Sequence, residues 1–228
     1  MSLFYDQTSN VVRAIYDRRI SAPSVLDADA YFPAAEKFAE AWPAIRDEAL
    51  TVAGRLGSVP RFHEIMHEQR AISANDNRDW RMLILKAYGI SFPQNMATCP
   101  TLAAVVEAAP DVISASISFL APGKHIPPHR GPFRGVLRFY LGLCMPKKRD
   151  GSLAAVLKID DEEYRVDNGE YLLWDDTYPH EVWNDSDQVR IVLLLDVWRR
   201  DMPTDMELLS RILVSLVRVG IRFRGVST

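Results

Sequence analysis

Apolar positions in the first third of the chain recur at helical spacing. After Pro33, residues Phe38, Trp42, Ile45, Ala49 and Val52 fall on one helix face, and Pro43 inside that run marks a kink or the start of a second helix. Asn10 to Arg19 is a shorter helical candidate. The pattern then changes: Trp80 to Tyr88 reads as a strand ended by Gly89. A Pro-rich turn with Cys99-Pro100 leads into a short helix from Thr101 to Ala108, which Pro110 closes. From Val112 onward strand signals follow closely: Val112–Leu120, Gly135–Cys144, Leu153–Ile159, Glu162–Val166, Tyr171–Trp174, His180–Asn184 and Val189–Trp198. Asp150-Gly151 and Asn168-Gly169 are hairpin turns between them. Short strands with Pro/Gly/Asp punctuation predict an all-β sandwich or barrel.

Met206 to Phe223 predicts a helix with an unusual face. Arg211, Ser215, Arg218 and Arg222 form one polar stripe, and the rest of the circumference is mostly apolar. Such a helix is expected to pack into the protein. With arginine as its only charge beyond Glu207, residues 206–224 offer a peripheral contact with an anionic membrane as the alternative. The segment is too short to span a bilayer comfortably.

The chain of 228 residues fits one domain, 1–228, made of a helical scaffold over 1–77, a β core over 78–200 and a C-terminal helix over 201–228. Lys+Arg 27 against Asp+Glu 30 provides no field for nucleic acid, which is excluded as a partner. Two cysteines, Cys99 and Cys144, and no charged-then-apolar leader predict a cytoplasmic protein.

Two histidine pairs compete as metal ligands. His63-Glu64-Ile65-Met66-His67 matches the H-E-x-x-H pattern of zinc peptidases, but the extended form needs Gly at 70 and His at 73, where the chain has Arg70 and Ser73. A surface helix with solvated histidines is the expectation there. His129 and His180 begin or lead into strands 51 positions apart, enough chain to bring them together across a barrel. Imidazoles on one face of a metal leave open positions for oxygen chemistry. Arg190 enters the apolar run Ile191-Val192-Leu193-Leu194-Leu195, and a charge there needs an anion. Arg138 raises the same requirement, and alternation puts Val136, Arg138 and Tyr140 on one face. Arginine is suited to a carboxylate through two parallel hydrogen bonds.

The strings P-G-x-x-I-P-P-H-R-G-P, L-R-F-Y-L-G-L, W-D-D-T-Y-P-H-E-V-W-N and R-I-V-L-L-L-D-V-W resemble the aspartyl/asparaginyl β-hydroxylase family of Fe(II)- and 2-oxoglutarate-dependent dioxygenases. The resemblance runs from about Trp80 to Trp198. It implies a mainly β fold, a double-stranded β-helix of the jelly-roll or cupin-like kind with flanking α-helices. It implies iron at His129 and His180, and 2-oxoglutarate at Ser118, Arg138 and Arg190, with Tyr140 where some members have His. Most iron/2-oxoglutarate enzymes also carry a carboxylate two residues after the first histidine; here that position is Gly131. The resemblance implies water in the missing place, held by Asp176.

The implied activity is hydroxylation of an unactivated carbon using O2, with 2-oxoglutarate as cosubstrate. Members acting on acidic side chains have an arginine where this chain has Val136, and Arg130 and Arg134 are the nearby cations. The substrate is therefore an acyl chain, as in lipid A 2-hydroxylases, or a peptide or amino acid. The rival readings are a non-catalytic cupin-like binding barrel and a zinc peptidase built on His63 and His67.

Overall fold

The computed structural model describes residues 3–224, with side chains described from residue 7 to residue 223. The expected domain limits at Met1 and Thr228 lie outside the described residues. In chain order the strands are β1 (Val25–Leu26), β2 (Trp80–Ala87), β3 (Ile90–Ser91), β4 (Val112–Leu120), β5 (His125–His129), β6 (Val136–Cys144), β7 (Ala155–Ile159), β8 (Glu162–Tyr164), β9 (Tyr171–Trp174), β10 (His180–Asn184) and β11 (Arg190–Trp198). They form a seven-stranded sheet in the order β1-β9-β6-β11-β4-β2-β3 and a four-stranded sheet in the order β5-β10-β7-β8. Every pairing is antiparallel. From β4 to β11 the chain passes back and forth between the two sheets, which gives a double-stranded β-helix.

Alternation along the large sheet separates two cores. Leu137, Phe139, Leu141 and Leu143 of β6, with Ile191, Leu193, Leu195 and Val197 of β11, face the flanking helices. Those helices include α3 (Ala35–Glu40), α4 (Trp42–Ala53) and α8 (Pro100–Glu107), preceded in the chain by α1 (Leu3–Asp17) and α2 (Ala28–Tyr31), and with α5 (Phe62–Ile65), α6 (Arg70–Ser73) and α7 (Pro93–Thr98) between α4 and α8. Phe32, Phe38 and Phe139 pack ring against ring there. The opposite face of the large sheet, with Trp80, Met82, Tyr140, Trp174 and Val192, meets Ile126, Leu157, Ile159 and Val182 of the small one. The candidate site opens from this inner space.

Pro43 sits in the first turn of α4, where a missing N–H costs nothing, so the long apolar run becomes two helices. Glu48 of α4 accepts hydrogen bonds from Thr101 N and Leu102 N at 2.6 and 3.1 Å, which caps α8 after the Cys99-Pro100 turn. The helical scaffold expected over 1–77 also contributes β1, which extends the large sheet beside β9.

The H-E-x-x-H stretch is not one helix. α5 ends at Ile65, Met66 leaves helical geometry with φ −117°, and a separate 3₁₀ turn spans His67–Gln69. His63 and His67 therefore share no helix face, and His63 Nδ1 bonds Ser73 Oγ at 3.1 Å rather than being simply solvated.

The last helix, α9 (Thr204–Arg224), revises the expectation of a packed C-terminal helix. Met206, Ser210 and Val214 are buried against Tyr16, Phe133 and Val136, but Leu208, Ile212, Leu216, Val219 and Phe223 are exposed. Tyr16 of α1 and Ser210 share a hydrogen bond of 2.7 Å, and Arg19 pairs with Asp205 at 2.9 Å. Tyr16 thus lies level with residue 210 and Arg19 with residue 205, so α1 and α9 form an antiparallel pair. No described helix is long and apolar enough to cross a membrane.

Candidate active site

His129 ends β5 and His180 begins β10, and the two are directly opposed in the ladder. Their ring centroids are 4.0 Å apart. His129 Nδ1 lies 2.8 Å from Pro127 O and His180 Nδ1 lies 2.9 Å from Tyr178 O. A carbonyl can only accept, so Nδ1 carries the proton in both rings and Nε2 keeps a free lone pair. Burial, aided by the Arg138 charge, pushes His129 down to about 4. Burial and the facing His129 hold His180 well below the ordinary histidine range. Both rings are neutral at neutral pH, the state a metal ligand requires. Trp174 packs edge-on against His180 with centroids 4.5 Å apart.

The loop before His180 is held by buried charge. Asp175 pairs with Arg134 at 3.0 Å and with Arg199, and it accepts from Thr177 N and Oγ1. Arg134 also pairs with Asp17 and donates to Ile20 O. It is a structural tie and not a cation free to replace the arginine missing at position 136. Arg130 is exposed, with no partner among the described residues.

Asp176 comes next in that loop and is buried. Its Oδ2 lies 3.2 Å from Arg138 Nη2, while Oδ1 has no partner among the described residues. Burial raises its carboxyl to about 6, against the pull of Arg138. A Cβ on Gly131 would meet Asp176 Oδ1 at 2.0 Å, and Gly131 N donates to Asp176 O at 2.6 Å. Asp176 thus fills the space that a side chain at 131 would need. Among the described residues, no third His, Cys, Asp or Glu joins the histidine pair in a metal-holding group.

Arg138 was expected to call for an outside anion, and the structure revises this. It faces Asp196 across β6 and β11, with Nη2 to Oδ1 at 2.8 Å and Nε to Oδ1 at 3.1 Å. Together with Asp176, the protein itself neutralises that cation. Sequence reasoning missed Asp196, although counting in steps of two from Arg190 places it on the same face of β11. Val136 packs beneath α1 and α9 with Tyr16, Met206 and Val214.

Arg190 is the contrasting case. Its residue is 2% exposed, and neither Nε nor Nη1 has a partner among the described residues. Its guanidinium lies over the Tyr140 ring, 5.5 Å from the centroid, and burial lowers its pKa. Tyr140 is two residues beyond Arg138 on β6, so the unpaired cation lies farther along that strand than the charge felt by both histidines. On β4, Ser118 Oγ accepts from Trp80 Nε1 at 3.0 Å. An indole only donates, so the Ser118 hydroxyl proton remains available to an acceptor. Two adjacent neutral imidazole nitrogens and a separate buried guanidinium without an ion-pair partner among the described residues fit a metal with a chelating dicarboxylate.

A prolyl-4-hydroxylase structure from Pseudomonas putida superposes on 70% of this chain and 88% of its own, with 16% identity and a TM-score of 0.42. The ornithine lipid ester-linked acyl 2-hydroxylase of Rhizobium tropici is 37% identical over 178 residues, covering 78% of this chain and 61% of that protein. The human aspartyl/asparaginyl beta-hydroxylase is 26% identical over 166 residues, covering 71% of this chain and 20% of its own length. The chain thus spans about three fifths of one curated relative and one fifth of the other. The Aspartyl/Asparaginyl beta-hydroxylase family model matches residues 39–200, more than half of the chain and including His129, His180 and Arg190, and the protein belongs to that hydroxylase family.

Proposed function

We propose that the protein is an Fe(II)- and 2-oxoglutarate-dependent hydroxylase acting on a lipid acyl chain. The observation that carries the cosubstrate is Arg190, a buried guanidinium with two nitrogens that have no partner among the described residues. Iron with 2-oxoglutarate supplies the reaction R–H + O2 + 2-oxoglutarate → R–OH + succinate + CO2. His129 and His180 hold the metal through Nε2, each ring fixed by its own backbone carbonyl. Arg190 would pair with the far carboxylate of 2-oxoglutarate, and Ser118, oriented by Trp80, would donate a hydrogen bond to it. Tyr140 lies against the guanidinium and closes that end to water. Asp176 Oδ1 is left to accept a hydrogen bond beside the histidines, while Arg138, itself paired with Asp196, holds its other oxygen.

The acyl substrate is supported by what the inner space offers. Arg138 is already neutralised, Arg134 is tied to Asp175, and Val136 is under the helices. Among the described residues, Arg190 is the buried cation there without an ion-pair partner, and Arg130, which also lacks one, is exposed. The side chains packed between the two sheets are apolar, among them Trp80, Met82 and Val192. The R. tropici relative is named for an ester-linked acyl chain. The test is incubation with Fe(II), 2-oxoglutarate and acyl-lipid extracts, following succinate and a gain of one oxygen by mass spectrometry. Oxygen gain on an aspartyl peptide instead moves the substrate to peptides. Absence of both 2-oxoglutarate binding and succinate removes the enzyme reading and leaves a binding barrel.

A further inference from the structure

Five apolar residues of α9 lie bare along one side of the helix. Leu208, Ile212, Leu216, Val219 and Phe223 follow one another at steps of four, four, three and four, and are 60%, 48%, 63%, 49% and 86% exposed. On the partner helix α1, Val11 and Ile15, one turn apart, are 62% and 40% exposed. A monomer seldom leaves such a run uncovered.

The charges around this surface are one-sided. Asp17 pairs with Arg134, Asp205 with Arg19 and Glu207 with Arg211. Arg18, Arg130 and Arg222 are exposed and have no ion-pair partner among the described residues. The acids of α1 and α9 with described side chains are therefore neutralised, and the unpaired charge left on these two helices is positive.

The helix pair also borders the candidate site. Arg13 of α1 donates to Gly131 O at 2.7 Å, two residues beyond His129. Gly135 lies against Ser210 of α9 so closely that a Cβ there would meet the serine Oγ at 2.1 Å. The segment between the first histidine and β6 is thus clamped by the same two helices that carry the bare apolar surface.

We propose that α1 and α9 dock this protein on an anionic phospholipid surface, with the apolar stripe entering the interface and Arg18, Arg130 and Arg222 meeting headgroup phosphates. The docking stands on the surface itself; that it brings an acyl chain to the histidine pair rests on the proposed function. A second copy of the chain would bury the apolar stripe but bring its own unpaired arginines against these, which disfavours that occupant.

The test is co-sedimentation of the full chain with phosphatidylcholine vesicles and with phosphatidylcholine–phosphatidylglycerol vesicles, at low and high salt. Binding is expected only with the anionic vesicles, and it should weaken as salt screens the arginines. Leu216→Asp and Phe223→Asp should each lower the partition by about tenfold, equivalent to about 1.4 kcal/mol, with the melting curve unchanged. Arg18→Glu with Arg222→Glu gives an independent loss that leaves the apolar stripe intact. No sedimentation of the intact chain overturns the proposal, as does binding that neither set of variants weakens. A dimer in analytical ultracentrifugation that Leu216→Asp dissolves, without vesicle binding, assigns the face to a second copy. Succinate formation on a short-chain soluble acyl substrate is read separately: if it is absent while vesicles still bind, the hydroxylase reading fails and the docking stands.

Discussion

Replacing Arg190 with Met should make the ligand-free protein more stable and abolish its response to 2-oxoglutarate, two changes of opposite sign. In the ligand-free state the guanidinium is 2% exposed, two of its nitrogens lack partners, and its contact with Tyr140 is the compensation described. Exchanging a poorly compensated buried charge for an apolar residue of similar length commonly gains about 1–4 kcal/mol. A cation–π contact returns about 1–2 kcal/mol of that, so the net gain is about 1 kcal/mol. For a chain of this size that is a rise of about 2–4 °C in melting temperature. The ligand side is larger. Loss of one partner of a buried charge pair costs about 3–5 kcal/mol, or roughly two to three powers of ten in affinity. In the parent protein, 2-oxoglutarate at about 100 times its dissociation constant should add about 2.7 kcal/mol, or about 5–11 °C, and in Arg190→Met almost nothing. The assay is differential scanning calorimetry with and without 2-oxoglutarate under anaerobic conditions, beside a metal analysis showing iron unchanged. A ligand-free variant that melts several degrees lower would mean that Arg190 is already paired within the protein. A shift with 2-oxoglutarate equal to the parent's would refute its role as the anchor.

His129→Ala or His180→Ala should each lose iron by metal analysis, whereas His63→Ala combined with His67→Ala should retain it, because the latter pair sits on separate helical turns. Gly131→Ala would drive a Cβ to 2.0 Å from Asp176 Oδ1, and should cost about 1–3 kcal/mol and several degrees of melting temperature, read in a thermal scan. Below neutral pH the metal-free protein should lose stability: both histidines have folded pKa values below the unfolded one, so their contribution is full above about 6.5 and falls away as pH drops toward about 4. The raised Asp176 works in the opposite sense, adding stability as pH falls through about 6, so His129→Gln should flatten the acid side of a stability-against-pH curve and Asp176→Asn should steepen it.

Much of the barrel was readable because each strand carries its own signal. Alternation and Gly/Pro/Asp turns are local, and β4 and β6 to β11 fall within a few residues of their expected limits, whereas β5, whose Pro127-Pro128 pair hides any alternation, was not expected as a strand. What pairs with what is not local. Arg138 and Asp196 are 58 positions apart, and only the register of β6 against β11 reveals that the cation is already satisfied. The same holds for Gly131, which reads as a missing ligand in the sequence and as a space filled by Asp176 in the fold. For α9 the composition was correct and the inference from it was not: periodicity says that a helix has an apolar side, but not which apolar side meets the body of the protein. His63 and His67 failed for a simpler reason, since a helix that stops at Ile65 never completes the turn their spacing assumes.

The close fit of Gly131 against Asp176 also limits how this sequence can change. A carboxylate grafted onto position 131 would collide with the one already rooted at 176, and removing the acid at 176 first would leave Arg138 with one anion fewer and a void beside the histidines. Each single step is harmful by itself, while the two made together exchange one arrangement for the other. Descendants of this chain are thus held on their side of a mutational divide, and crossing it requires a paired substitution at sites 45 positions apart, which selection on single changes would rarely supply.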